Sequence, residues 1–265
     1  MQFNHRSFLL LIFLLFLLAC GNQEPFTKGK WIDLTHDFSS ETIYWPTAEG
    51  FKLEVVATGM TEGGYYYTAN NFSAAEHGGT HLDSPIHFSE GKKSVEQLTL
   101  DQLIGTAAVI DVSSAALANP DYLISVADLT DWETRHGQIK DGAILLFYTG
   151  YGQFWPDRKK YMGTDQVGPD AVPLLHFPGI DPKAAKWLVE NRNIKAVGLD
   201  TPSIDYGQST LFETHQILYE KNIPGFENVA HLDQLPATGA FIIALPMKIK
   251  GGSGGPLRIV AFVED

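Results

Sequence analysis

Apolar residues recur along this chain in three rhythms, and each predicts a different kind of element. The first is an unbroken run of eleven, from Phe8 to Leu18, behind the basic residue Arg6. A helix needs about 20 apolar residues to cross a bilayer, so this run reads as the apolar part of a signal peptide. The second rhythm consists of short stretches rich in β-branched and aromatic residues. These predict strands near 52–58, 64–73, 107–113, 143–149, 195–200, 239–246 and 257–263. The third is helical spacing, near 94–104, 126–136, 182–192 and 209–221. The segment at 182–192 is the best defined of these. Asp181 can cap it, Pro182 suits its first turn, and Ala184, Ala185, Leu188 and Val189 line one face. Strands outnumber helices and the two kinds alternate irregularly. The expectation is a single α/β domain over residues 31–265, with a mixed β-sheet core and flanking helices rather than a doubly wound sheet. The chain carries no Gly-rich phosphate loop and no dinucleotide fingerprint.

The end of the first apolar run adds chemistry. Leu17-Leu18-Ala19-Cys20 followed by Gly21 resembles a bacterial lipobox, in which the cysteine is diacylated and becomes the new N-terminus. This assigns residues 1–19 to a lipoprotein signal peptide, Cys20 to lipidation and residues 20–30 to a polar tether. The expected place is outside the cytoplasm, lipid-anchored to the bacterial envelope on its periplasmic or cell-surface side, without a membrane span. Cys20 is the only cysteine, so the chain can form no internal disulfide and offers no other thiolate to a metal. The formal charge of -12 repels phosphate backbones and excludes nucleic acid as a partner.

Nine histidines are spread over the chain, yet three fall between 77 and 87, with Asp83 among them. On a helix, Asp83 would lie well round the cylinder from His77, and Gly78, Gly79 and Pro85 oppose a helix there. On an extended segment, positions 77, 81, 83 and 87 share one parity, so their side chains emerge on one face. A straight strand would still hold His77 and Asp83 about 20 Å apart, whereas donors to one ion sit about 2 Å from it. The chain must therefore bend, and Gly78-Gly79 supplies that freedom. Imidazole and carboxylate donors without thiolate suit zinc, manganese or iron(II) in a reactive site.

The segment from His77 to Phe88, HGGTHLDSPIHF, resembles the H-x-G-T-H-x-D-x-P-x-H-F signature of the cyclase-like family. That family includes bacterial kynurenine formamidases, with isatin hydrolase as a relative. The resemblance runs from about residue 31 to the C-terminus and implies a swivelling β/β/α fold. It also implies that His77, His81 and Asp83 bind one metal, that Asp83 bridges to a second, and that His87 is the general acid/base. His215 and Glu227, twelve residues apart, match two further ligands, and Glu227-Asn228 is similar to a motif of the family. Trp45, in Tyr44-Trp45-Pro46, matches a tryptophan that lines the substrate pocket. Dimers or larger homo-oligomers are implied as well.

The expected chemistry is hydrolysis of an amide-like C–N bond in a small aromatic substrate, such as an aryl formamide or a cyclic amide, using one or two Zn²⁺ or Mn²⁺ ions. Tyr44, Trp45, Phe88, Phe154 and Trp155 are candidates for an aromatic lining. Two alternatives stay open: a lactone hydrolase on the same site, and a surface lipoprotein that captures metal without turnover. If a single metal binds, His215 and Glu227 would orient ligands or water instead. His36, His136, His176 and His231 are expected to be structural.

Overall fold

The computed structural model describes residues 26–265. The expected signal peptide, Cys20 and the first part of the tether lie outside the described residues. The end of the tether belongs to the sheet instead. Strand β1 (Gly29–Asp33) already includes Gly29 and Lys30 and pairs antiparallel with the C-terminal strand β12 (Gly254–Glu264), which buries Ile32.

The main sheet has six further members: β4 (His81–Asp83), β5 (Ile104–Asp111), β7 (Ala143–Tyr148), β9 (Ile194–Leu199), β10 (Gly225–Glu227) and β11 (Thr238–Pro246). Their order is β1-β12-β11-β5-β7-β9-β10-β4. β5, β7, β9 and β10 run parallel, and β11, β12 and β4 join antiparallel. β4 then closes the sheet. One of its edges pairs with β10, setting His81 opposite Glu227, and the other pairs with the start of β12, setting Asp83 opposite Gly254. All strands but β1 therefore form a ring. Outside it, β2 (Lys52–Met60) and β3 (Tyr66–Ser73) make a separate exposed hairpin, and β6 (Leu123–Ile124) pairs with β8 (Gly179–Ile180).

Strand alternation divides the core in two. Ile144 and Leu146 of β7 join Leu82, Val109, Ala196, Phe226, Ile242, Leu257 and Ile259 in a cluster to which every strand of the ring contributes. Ala143, Leu145 and Phe147 face the other way, with Val197 and Leu199, against the helices. The helices on that face are α3 (Val126–His136), α5 (Pro182–Asn191) and α6 (Glu213–Glu220). A strand buried on both faces reads as a continuous apolar run, which is why 143–149 was legible.

Two expected helices change. The helix expected over 94–104 is a 3₁₀ turn at Val95–Gln97 and a single turn, α1 (Leu100–Leu103), after which Ile104 enters β5. Pairing of Ile104 and Gly105 with Ile243 and Ile242 outweighs local helical spacing there. The helix expected over 209–221 starts only at Glu213, because Phe212 has a left-handed φ of 52°. The strand expected over 107–113 ends at Asp111, and Ser113–Ala118 coils into α2 instead. Arg158–Met162 forms a short α4 that sequence spacing did not announce.

Phe226 ties the ring core to the strand that carries Glu227, and it is fully buried. Phe226→Ala should cost about 3–5 kcal/mol in urea unfolding. A loss below about 1 kcal/mol would mean that β10 is not held by core packing.

Candidate metal centre

β4 is three residues long, and its alternation separates two jobs. Leu82 points into the ring core, while His81 and Asp83 share the opposite face. The predicted bend lies just upstream. Gly79 has φ 58°, in the left-handed region, and a Cβ on Gly78 would stand 2.0 Å from Tyr44 Cδ1. The bend brings His77 Nδ1 to 2.6 Å from Asp83 Oδ1. Thr80 fastens the turn: its hydroxyl donates to Asn228 O at 2.7 Å and accepts from His36 N at 2.9 Å.

The distant residues arrive on separate elements. Glu227 ends β10, directly opposite His81, and Oε1 accepts from Ile204 N at 2.9 Å. His215 sits in the first turn of α6. Phe212 gives that helix no side-chain cap, and Asp205 replaces it, accepting from Thr214 N and His215 N at 3.2 Å each. Asp205 Oδ2 also takes the His215 Nδ1 proton at 2.5 Å, which turns Nε2 toward the cluster.

Each carboxylate presents one oxygen to each side of the site. Asp83 Oδ1 lies 3.0 Å from His81 Nε2, and Oδ2 lies 3.3 Å from His215 Nε2. Glu227 Oε2 lies 3.4 Å from His81 Nε2, and Oε1 lies 3.3 Å from His215 Nε2. Donors about 2.1 Å from one ion at tetrahedral angles stand about 3.4 Å apart, so these separations fit a shared cation. His81 Nε2 is buried and makes no aligned hydrogen bond, despite its nearness to Asp83. Such a nitrogen needs a partner, and a cation between the carboxylates would provide one. Among the described residues, two triplets hold their donor atoms within 4.8 Å of one another: His81-Asp83-Glu227 and His77-Asp83-His87. Asp83 belongs to both, as expected of a bridging carboxylate.

The electrostatics describe charges awaiting neutralisation. Burial alone would lower the His81 pKa, but Asp83 and Glu227 beside it hold it up at about 10. His215 behaves likewise: burial opposes its charge, while Asp205, Asp83 and Glu227 keep it well above the usual imidazole range. Burial pushes the Asp83 carboxyl up, and the facing His77, His215 and His81 outweigh it, holding Asp83 well below the carboxylate range. His87 differs. Burial pulls it down to about 4 against the attraction of Asp83, so its ring is neutral near pH 7.

A cavity of about 300 Å³ opens onto this cluster, lined by Ile43, Trp45, Phe88, Phe212 and Pro202 besides the donor residues. Of the aromatic candidates, Tyr44, Trp45 and Phe88 line this cavity. Phe154 and Trp155 do not, because they pack on Tyr151 and His36 behind the cavity wall. His87 stands at the rim with its ring stacked on His77 at 3.8 Å, and its Nε2 lies 3.9 Å from Asp83 Oδ2. The other described histidines stay outside the cluster. His36 stacks on Trp155, His136 lies tilted against Trp132, and His176 and His231 bond to Asp121 and Asp33 O. Sequence reasoning assigned no role to Asp205 and gave no sign of Phe212.

The geometry has relatives. The model of the Cyclase family matches residues 32–206. The chain is 31% identical over 240 residues to an isatin hydrolase of Roseibium aggregatum, covering 88% of this chain and 86% of that one. It is 28% identical over 232 residues to a kynurenine formamidase of Bacillus cytotoxicus, covering 88% and 97%. Among solved structures, isatin hydrolase A from Ralstonia solanacearum superposes with a TM-score of 0.79 and 34% identity, covering 96% of this chain and 97% of that one. A cluster of His and carboxylate donors lining a cavity with aromatic walls, a family match over most of the chain and similarity along nearly its whole length agree, and the chain belongs to the cyclase family.

Proposed function

We propose that this protein is a metal-dependent hydrolase that cleaves the amide-like C–N bond of a small aromatic substrate. A cyclic amide of the isatin type is the first choice and an aryl formamide the second. The observation that carries the reading is that the donor cluster lines the same cavity as Ile43, Trp45, Phe88 and Phe212. Such a cavity serves substrate binding and is superfluous for metal capture alone. Phe88 and Phe212 lie 5.2 Å apart, and Trp45 is 6.3 Å from Phe212, which suits an aromatic ring held by its faces and edges. The isatin hydrolases and kynurenine formamidases among its relatives support the same class.

His77, His81, Asp83, His215 and Glu227 would hold one or two divalent cations, zinc or manganese. A bound cation supplies Lewis-acid polarisation and lowers the pKa of a water toward 7. The protein supplies the rest. The apolar walls exclude bulk water and strengthen every charge interaction inside. His87 carries the proton: water gives hydroxyl to the carbonyl carbon and a proton, through His87, to the departing nitrogen as the C–N bond breaks. Its distance from Asp83 would admit it as a ligand, but its surroundings favour the shuttle. Metal-binding histidines usually donate their second nitrogen to a fixed acceptor. His77, His81 and His215 have such partners, whereas the His87 ring, among the described residues, is held by stacking.

We further propose that Cys20 is lipidated. β1 begins nine residues later, at Gly29, so an extended tether would hold the domain within about 30 Å of a membrane surface. Among the described residues, no helix is long and apolar enough to cross a membrane. Self-association is proposed too, supported by the β2–β3 hairpin, which exposes Leu53, Val55, Val56, Met60 and Phe72.

Protein lacking residues 1–20 should carry one or two equivalents of divalent metal by elemental analysis and hydrolyse isatin or an aryl formamide. His81→Ala should lose both, and metal-free protein that cannot be reconstituted would sink the proposal. His87→Ala should keep its metal while turnover falls by about 10²–10⁴-fold; loss of metal instead would make His87 a ligand. pH gives a separate check. In the metal-free protein the His81 pKa rises from 6.5 to about 10, so its stabilising contribution is fully present below pH 6.5 and lost as pH climbs toward 10. Thermal unfolding of that form should therefore occur at a lower Tm at pH 10 than at pH 6.5. Added metal should displace the proton and raise Tm more at the higher pH, and an equal shift at both would refute the linkage.

A further inference from the structure

His81 and His215 are oriented in the same sense. Each gives its Nδ1 proton to an acceptor, Gly79 O at 2.9 Å and Asp205 Oδ2 at 2.5 Å, and turns Nε2 toward the carboxylates. His77 is reversed. Its Nδ1 is the nitrogen beside Asp83, and its Nε2 faces Ser253 Oγ at 2.8 Å.

The partners of Ser253 fix where the proton sits. Glu76 Oε2 lies 2.9 Å from Ser253 N and 2.7 Å from Ser253 Oγ. A backbone N–H can only donate, so the Glu76 oxygen is an acceptor, and as a carboxylate it takes the hydroxyl proton as well. Ser253 has a single hydroxyl proton. With that proton committed to Glu76, the hydroxyl meets His77 through a lone pair, and Nε2 must carry the ring N–H. Nδ1, 2.6 Å from the acceptor Asp83 Oδ1, donates there in the absence of a cation, and a cation in the site would displace that proton and meet the Nδ1 lone pair.

The loop around Ser253 is shaped for this contact. A Cβ on Gly254 would stand 2.6 Å from His77 Cε1 and 2.6 Å from Leu82 O, so only glycine lets the loop lie against the ring. A Cβ on Gly252 would come within 2.9 Å of Glu76 Oε1. Ser84, the residue after Asp83, donates from N and Oγ to Ser253 O at 2.8 and 2.6 Å. The loop and the ligand strand are thus fixed to each other.

We infer that Glu76 and Ser253 are positioning residues that hold His77 in its Nε2–H form, so that it ligates metal through Nδ1 while His81 and His215 ligate through Nε2. The inference rests on the metal site proposed above and assigns a function to a loop that lies far from the signature in sequence.

Zinc-loaded protein with ¹⁵N-labelled histidine provides the test, because two-bond correlations report which ring nitrogen carries hydrogen. His77 should show Nε2–H, with His81 and His215 showing Nδ1–H. In chelator competition, Ser253→Ala and Glu76→Leu should each weaken Zn²⁺ binding by about 10–100-fold. Glu76→Gln keeps an acceptor oxygen and Ser253→Thr keeps the hydroxyl, so both should stay near wild type. A His77 ring protonated on Nδ1 in the zinc form would overturn the inference, even if the variants failed to fold. So would wild-type affinity in both Ser253→Ala and Glu76→Leu. Wild-type protein that takes up no zinc would overturn the metal site itself, an outcome distinct from either of these.

Discussion

Asp83 and Glu227 are buried side by side, 2% and 4% exposed, with four oxygens converging on the same few imidazole nitrogens. Two carboxylates so close and so dry repel each other and lose their hydration, at an effective cost of several kcal/mol per ion. Only positive charge between them offsets that, whether imidazole protons or a divalent cation. Much of the surrounding backbone serves to keep this arrangement in place. β4 is hydrogen-bonded along both edges, so His81 and Asp83 cannot relax away from Glu227. Ile204 N holds one Glu227 oxygen, and Asp205 holds His215 from behind.

The cavity depends on the same placement. Ile43, Trp45, Phe88 and Phe212 give it apolar walls beside the donor residues. His87 has no hydrogen-bonded anchorage among the described residues and its ring is stacked on His77, which supports the proton-carrying role proposed for it. His77, His81 and His215 each have a second-nitrogen partner and lie 2.6, 3.0 and 3.3 Å from Asp83, whereas His87 lacks such a partner among the described residues and lies 3.9 Å away.

Much of this was legible in the chain. The apolar runs of β7 and β9 and the β-branched and aromatic stretches of the β2–β3 hairpin follow from local side-chain pattern, as do α3 and α5, the latter with its capping residue Asp181. The segment 94–104 misled because Val95, Leu98 and Leu103 are spaced as on a helix, while the long β11 captures the chain from Ile104 onward. β10 is three residues long and shows no periodicity to detect. The aromatic guess at 154–155 failed because nothing local says which side of a wall a ring will face.

Parity put His81 and Asp83 on one face and the glycine bend returned His77 to them, because side-chain direction in an extended segment is a local property of the backbone. His87 arrives instead from a 3₁₀ turn, Pro85–His87, which the extended reading of 77–87 did not anticipate. Their meeting with His215 and Glu227 could be anticipated only from a family pattern. The roles of Asp205, Glu76 and Ser253 were decided by the tertiary structure alone. Ser253 lies 176 residues from the His77 ring it touches. Closure of the ring by β4 against β12 brings them together, and a contact made across strands leaves no spacing signal in either segment.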